Sequence, residues 1–160
     1  MTKVCQHLWF ADDMDAALRL YTRLVPGSSL DWTTTLPAES PAGPAGSVKI
    51  AGFTLGGQRY QAIEAGPLDP FNHSFSIMLE CEDQAELDRL WDALAEGGQI
   101  EQCGWLRDRW GLSWQIVPKR LGELMSDPDR EKAARVAQAM LTMVKFDITA
   151  LEAAADGRQA

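Results

Sequence analysis

Cys103-Gly104-Trp105-Leu106-Arg107-Asp108-Arg109-Trp110-Gly111-Leu112-Ser113-Trp114-Gln115-Ile116-Val117-Pro118 is the most informative run in the chain. It reads as two short strands joined by a charged turn that ends at Gly111. The second arm alternates, with Ser113, Gln115 and Val117 on one side and Trp114 and Ile116 on the other. An amide at Gln115, on an otherwise apolar strand with heavy aromatics nearby, marks a pocket wall.

Moving N-terminally, the run is preceded by a helix and a strand. Ser74 to Cys81 reads as a strand. Asp83 with Glu86 forms a capping-box-like start, and Leu87, Leu90, Trp91 and Leu94 line one face of a helix that Gly97-Gly98 closes. The first half of the chain follows the same plan. Lys3 to Phe10 is a strand, Asp12-Asp13 an N-cap, and Ala17, Leu20, Tyr21 and Leu24 an amphipathic stripe stopped by Pro26-Gly27. With an offset of 70, Asp13 falls on Asp83, Leu20 on Leu90, Tyr21 on Trp91 and Gly27 on Gly97. Ser28 to Thr35, Ser47 to Leu55 and Arg59 to Glu64 are further strands, the last two joined at Gly56-Gly57. Aligning Gly57 with Gly111 sets Tyr60 on Trp114 and Gln61 on Gln115. A repeated βαβββ unit is the economical reading.

The segment from Leu36 to Gly46, with three prolines and two glycines, cannot hold a strand ladder and is expected to be an exposed, mobile loop. Gly66-Pro67-Leu68-Asp69-Pro70 is the linker candidate. Beyond Pro118, Ser126-Asp127-Pro128-Asp129 starts a helix, with Asp as cap and Pro at the first helical position. Ala133, Val136, Ala137, Met140 and Val144 line one face of it. Asp147 to Ala155 reads as a last short helix. The expected organisation is one α+β domain: module one at 1–66, module two at 67–119 and a helical extension at 120–157.

Composition narrows the function. At 160 residues, with 46% hydrophobic and 24% charged residues, the chain can bury a core. Its net charge of −8 and lack of a basic stripe argue against nucleic acid as a partner. No apolar run approaches a membrane span and the N-terminus lacks a signal-peptide core, so a cytoplasmic protein is expected. Cys5, Cys81 and Cys103 show no paired short spacing, which excludes a zinc knuckle and suits a reducing compartment.

Several segments resemble the PhnB-like proteins labelled 3-demethylubiquinone-9 3-methyltransferase. They are Trp9-Phe10-Ala11-Asp12-Asp13, Phe53-Thr54-Leu55-Gly56-Gly57, Asp88-Arg89-Leu90-Trp91, Gln102-Cys103-Gly104-Trp105, Ser113 to Pro118 and Leu121 to Asp129. That family sits in the vicinal oxygen chelate superfamily, with glyoxalase I, bleomycin-resistance proteins and extradiol dioxygenases. The resemblance implies paired βαβββ modules around a cupped mixed sheet, usually in homodimers. The superfamily's metal enzymes carry ligands on the first and last strand of each module. Carried over by the repeat, those positions are Gln6, Gln61, Ser76 and Gln115.

Three amides and a hydroxyl are weak ligands for a divalent metal, which prefers carboxylate or imidazole. His7 lies one residue away and strand alternation turns it to the face opposite Gln6. No tightly held metal and no cofactor are therefore expected. Gln6, Gln61, Ser76 and Gln115 offer uncharged donors and acceptors to a small organic ligand, with Trp105 as a stacking wall and Trp110 or Trp114 as further candidates. Cys103, near Arg107 and Arg109, reads either as an activated thiolate or, more economically, as a buried structural thiol. The expected function is ligand binding without turnover, of the bleomycin-resistance type. The alternative is a metal-assisted lyase, isomerase or dioxygenase.

Overall fold

The structure, a computed structural model, describes residues 2–158. By internal contacts the chain divides into two compact units after Pro70. The first holds strand β1 (Gln6–Phe10), helix α1 (Met14–Leu24) and strands β2 (Ser29–Thr35), β3 (Lys49–Leu55) and β4 (Gln58–Glu64). Its sheet runs β1-β4-β3-β2, with β1 parallel to β4 and the remaining pairs antiparallel. The second holds β5 (Ser76–Cys81), α2 (Gln84–Ala95), β6 (Gln99–Ile100), β7 (Trp105–Arg107) and β8 (Ser113–Pro118). Its order, β5-β8-β7-β6, repeats the first, again with one parallel pair between the first and last strands. Helices α3 (Lys119–Met125), α4 (Arg130–Leu141) and α5 (Ile148–Ala155) follow. The architecture is α+β, two βαβββ units with C-terminal helices. Helix α3 is an addition to the elements read from the sequence.

Each unit buries one sheet face against its helix. In the first, Ala17, Leu18, Leu20, Tyr21 and Leu24 of α1 are buried, as are Leu8, Phe10, Ala51, Phe53, Leu55, Tyr60 and Ala62 of the strands. In the second, Leu87, Leu90, Trp91 and Leu94 of α2 are buried, together with Ile77, Cys81, Leu106, Trp114 and Ile116. The period-2 alternation leaves a second, open face on each sheet.

The helix starts differ from expectation in instructive ways. Asp83 caps α2 as read, accepting the Glu86 amide at 2.9 Å, while Glu86 reaches back to the amide of Glu82 at 2.9 Å. Asp13 does not cap α1. It sits in the left-handed region at φ 58° with no side-chain cap bond, and the Met14 amide donates instead to Glu64 Oε1 of β4, at 2.8 Å. A strand thus supplies the acceptor that the helix start lacks. Helix α4 is capped by Asp129, which accepts from the Glu131 and Lys132 amides; Asp127 closes the turn before it by accepting from Asp129. The cap therefore falls after Pro128, not before it. The helix also ends at Leu141, so Val144 is off its face and 38% exposed.

The C-terminal extension is anchored on the hairpin that opened the sequence reading. Cys103 and Gly104 donate backbone hydrogen bonds to the carbonyls of Met143 (2.9 Å) and Val144 (2.8 Å). Gly104, at φ 79°, lies so close to the buried Phe146 that a Cβ there would run into the ring. Gln84 then holds the chain beyond Phe146, donating to the Phe146 carbonyl and accepting from the Ile148 amide.

The close approach at Gly104 makes a stability prediction. Gly104→Ala will destabilise the fold by roughly 3 kcal/mol, from left-handed strain plus overpacking. In urea unfolding the Gly104→Ala/Phe146→Ala pair will lose less than the sum of the two single losses, because the clash disappears with the ring.

Candidate functional site

Strand register decides which side chains share the open faces. In the first unit β1 pairs with β4 so that Gln6 stands opposite Tyr60 and His7 opposite Gln61. Paired residues point to the same side of a sheet. Tyr60 is buried against α1, and burial pushes its hydroxyl above the ordinary tyrosine range. Gln6 therefore belongs to the helix-facing side, with Leu8 and Phe10. The register corrects the sequence reading: His7, not Gln6, shares the face of Gln61. Trp9 and Ile63 continue that face.

Beside Gln61 lies a residue that the sequence reading passed over. Gly52 of β3 pairs with both Gln61 and Trp32, and a Cβ at Gly52 would run into the Trp32 indole. The Trp32 indole, 44% exposed on the edge strand β2, thus covers that glycine. A glycine inside a strand is the signal for such a close approach.

In the second unit Met78 stands opposite Gln115 and Ser76 opposite Ser113. Met78 is thus the counterpart of His7, and Ser76 lies two residues before it. Ser76 and Gln115 are brought together: Gln115 Nε2 donates to Ser76 Oγ at 3.0 Å. Trp105 pairs with Gln115 across β7–β8 and stands on the same face. Around Trp105 runs a charged cluster. His73 Nε2 meets the Glu101 carboxylate at 2.9 Å, Arg107 Nε lies 3.3 Å from Glu101 Oε2, and the His73 and Trp105 rings are 5.8 Å apart. The Arg107 Nε–Glu101 contact is close enough for charge pairing but not aligned as a hydrogen bond; Nη2 of Arg107 donates to Gln99. Ser113 is fully buried, and its hydroxyl has no hydrogen-bond partner.

The other two tryptophans of the 103–118 segment divide as core and rim. Trp114 is fully buried and donates its indole N–H to Asp108 Oδ2 at 2.9 Å. Asp108, only 3% exposed, also accepts the Trp110 and Leu112 amides, at 2.9 and 3.1 Å. Its carboxylate thus builds the turn between β7 and β8. Trp110 is half-buried, with the Arg109 guanidinium 4.8 Å above its ring.

Two of the three thiols lie in the second unit. Cys103 Sγ faces the Met140 carbonyl at 3.7 Å, and Arg107 and Arg109 are engaged with Glu101 and Trp110. Cys81 is fully buried, and desolvation first, then the nearby Glu86, pushes its thiol up to about 12. Among the described residues no three of His, Cys, Asp or Glu gather as a metal-binding group. His7 with Gln61, and Ser76 with Gln115, are a poor donor set for a tightly held divalent ion.

Two βαβββ units of this topology are the fold of the vicinal oxygen chelate proteins. The family described as 3-demethylubiquinone-9 3-methyltransferase matches residues 2–117, and the chain belongs to that family. Among solved structures, a PhnB protein from Bacillus cereus, given the same methyltransferase description, is similar at 29% identity, with 73% of this chain and 99% of that one covered and a TM-score of 0.63. Protein PA1353 from Pseudomonas aeruginosa is similar at 26% identity over 74% of this chain and 98% of that one, TM-score 0.58. The fosfomycin resistance protein FosX from Listeria monocytogenes, at 12% identity over 76% of this chain and 94% of that one, shares the fold with a TM-score of 0.52. No curated protein matches.

Two predictions follow from the buried groups. In timed alkylation at pH 8 read by mass spectrometry, Cys81 will be the last thiol to react, behind the half-buried Cys5 and Cys103. The sign of the linkage is alkaline: the folded thiol titrates near 12, above the unfolded value of about 8.5. Stability is therefore intact at neutral pH and falls as pH climbs through that interval. Trp114→Phe will cost about 2 kcal/mol in urea unfolding, because it leaves a buried carboxylate one donor short.

Proposed function

We propose that this chain binds a neutral small organic molecule at the open sheet faces, without a tightly held metal and without turnover. The observation that carries this reading is the Gln115–Ser76 pair at 3.0 Å beside Trp105. At two positions that the family resemblance would assign to metal ligands, this chain carries an amide and a hydroxyl. Gln61, between His7 and Trp32, offers a similar neutral group in the first unit. Such groups suit carbonyl, hydroxyl or amide functions, and the flanking indoles suit flat apolar surface. The family's methyltransferase description does not extend this reading. Gly56-Gly57 is a tight hairpin turn with both φ angles positive, joining antiparallel β3 and β4. A glycine-rich cofactor cradle instead leads from a parallel strand into a helix.

The protein is proposed to act as a cytoplasmic homodimer. No helix among the described residues is long and apolar enough to cross a membrane, and the net charge of −8 disfavours nucleic acid.

Elemental mass spectrometry after mild dialysis is the direct test. The expected result is less than a tenth of an equivalent of nickel, zinc, manganese or iron, with a melting temperature unmoved by chelator. A stoichiometric metal would overturn the reading. Light scattering should give about twice the 17.7 kDa protomer mass. In a thermal-shift screen of neutral aromatic carbonyl compounds and phenols, stabilising hits should weaken about tenfold in Gln115→Leu, the loss of roughly one hydrogen bond.

A further inference from the structure

The first unit contains a cavity that the amide positions do not account for. Its volume is about 360 Å³, and it is lined by Trp9, Leu36, Pro41, Val48, Ile63 and Leu68 with smaller residues between them. That is within the range of small-molecule sites, about 300–1,000 Å³. No charged side chain lines it. Trp9 and Ile63 place it on the same open face as His7 and Gln61, two residues further along β1 and β4.

The walls are held apart by bonds of their own. Trp9 Nε1 donates to the Gly66 carbonyl at 2.9 Å, which fixes the indole as one side. The proline-rich segment forms the opposite side and is tied down: Leu36 donates to the Val48 carbonyl and Gly46 to that of Leu36. Ser40 and Gly43 exchange backbone hydrogen bonds around a turn with Pro41 at its first central position, where a fixed φ suits it. Ser40 Oγ is taken up by the Ala42 amide. A half-open apolar groove whose polar edges are already satisfied offers water few hydrogen bonds and gains by covering its surface with an apolar guest.

We propose that this cavity takes the apolar ring of an uncharged amphipathic ligand, whose single polar group reaches back along the face to Gln61. The inference rests on the reading of the open faces as ligand sites and adds to it the class of ligand and the orientation. The lining carries no cation to meet a carboxylate or sulfonate in the ring's place, so the end of the ligand held there is apolar.

Saturation-transfer NMR on the full chain, with naphthalene and 2-naphthol as probes, tests this. The expected result is binding of both probes, with 2-naphthol at least fivefold tighter. Ile63→Glu should remove both neutral probes while Gln61→Leu should remove only the advantage of 2-naphthol. A second cavity variant, Leu36→Arg, should act as Ile63→Glu does, and circular dichroism of each variant reports folding independently. Naphthalene binding unchanged in both folded cavity variants, or no binding of either neutral probe, would overturn the cavity assignment. Naphthalene binding that is lost in the cavity variants, with no 2-naphthol advantage and no effect of Gln61→Leu, would keep the cavity, overturn the orientation and count against the amide-lined reading.

Discussion

The second unit depends on one buried carboxylate. Asp108 takes two backbone N–H groups of its own turn and the indole N–H of Trp114. A charge that deep is tolerated only when it is fully hydrogen-bonded, and removing one donor is costly. In return it fixes the turn, and the turn fixes the β7–β8 register that sets Trp105 opposite Gln115. Strand β8 then carries the parallel pairing with β5 that brings Ser76 to Gln115. The geometry of the candidate site traces back to that turn.

The first unit has the same topology with a different fastening. Its helix start is satisfied by Glu64 from the last strand, so β4 and α1 are joined by a hydrogen bond as well as by packing. Its open face is shaped by an absence, since Gly52 lets the Trp32 indole lie down on the sheet. One βαβββ plan thus produces two unlike faces. The first is apolar toward the Trp9 end. The second carries the Glu101–Arg107–His73 cluster and the amide–hydroxyl pair.

Neutral donors where the fold could carry ligands are what give these faces their proposed chemistry. Amides and hydroxyls orient a ligand through hydrogen bonds and hold a divalent ion weakly. The tryptophans beside them supply area at small entropic cost, since an indole has only two side-chain torsions. That combination is the basis of the binding role proposed for these faces.

The repeat, the amphipathic helices and the family were legible in the sequence because each rests on local spacing. Apolar residues at helical intervals, glycines at turns and the motif around Ser113 to Pro118 need no partner to be read. The site was legible only in part. Gln61, Ser76, Trp105 and Gln115 fall on open faces, but Gln6 does not. Which of Gln6 and His7 joins Gln61 is a matter of register, and a one-residue slip reverses every side chain. The cap assignment at α1 failed because the acceptor, Glu64, is fifty residues from Met14. Asp108, which looked like one more charge in a turn, owes its role to the indole six residues on. Local pattern, then, determined the elements and their order by itself. The tertiary structure decided register, burial and which polar groups meet, because those are set by partners that only the folded chain brings within bonding distance.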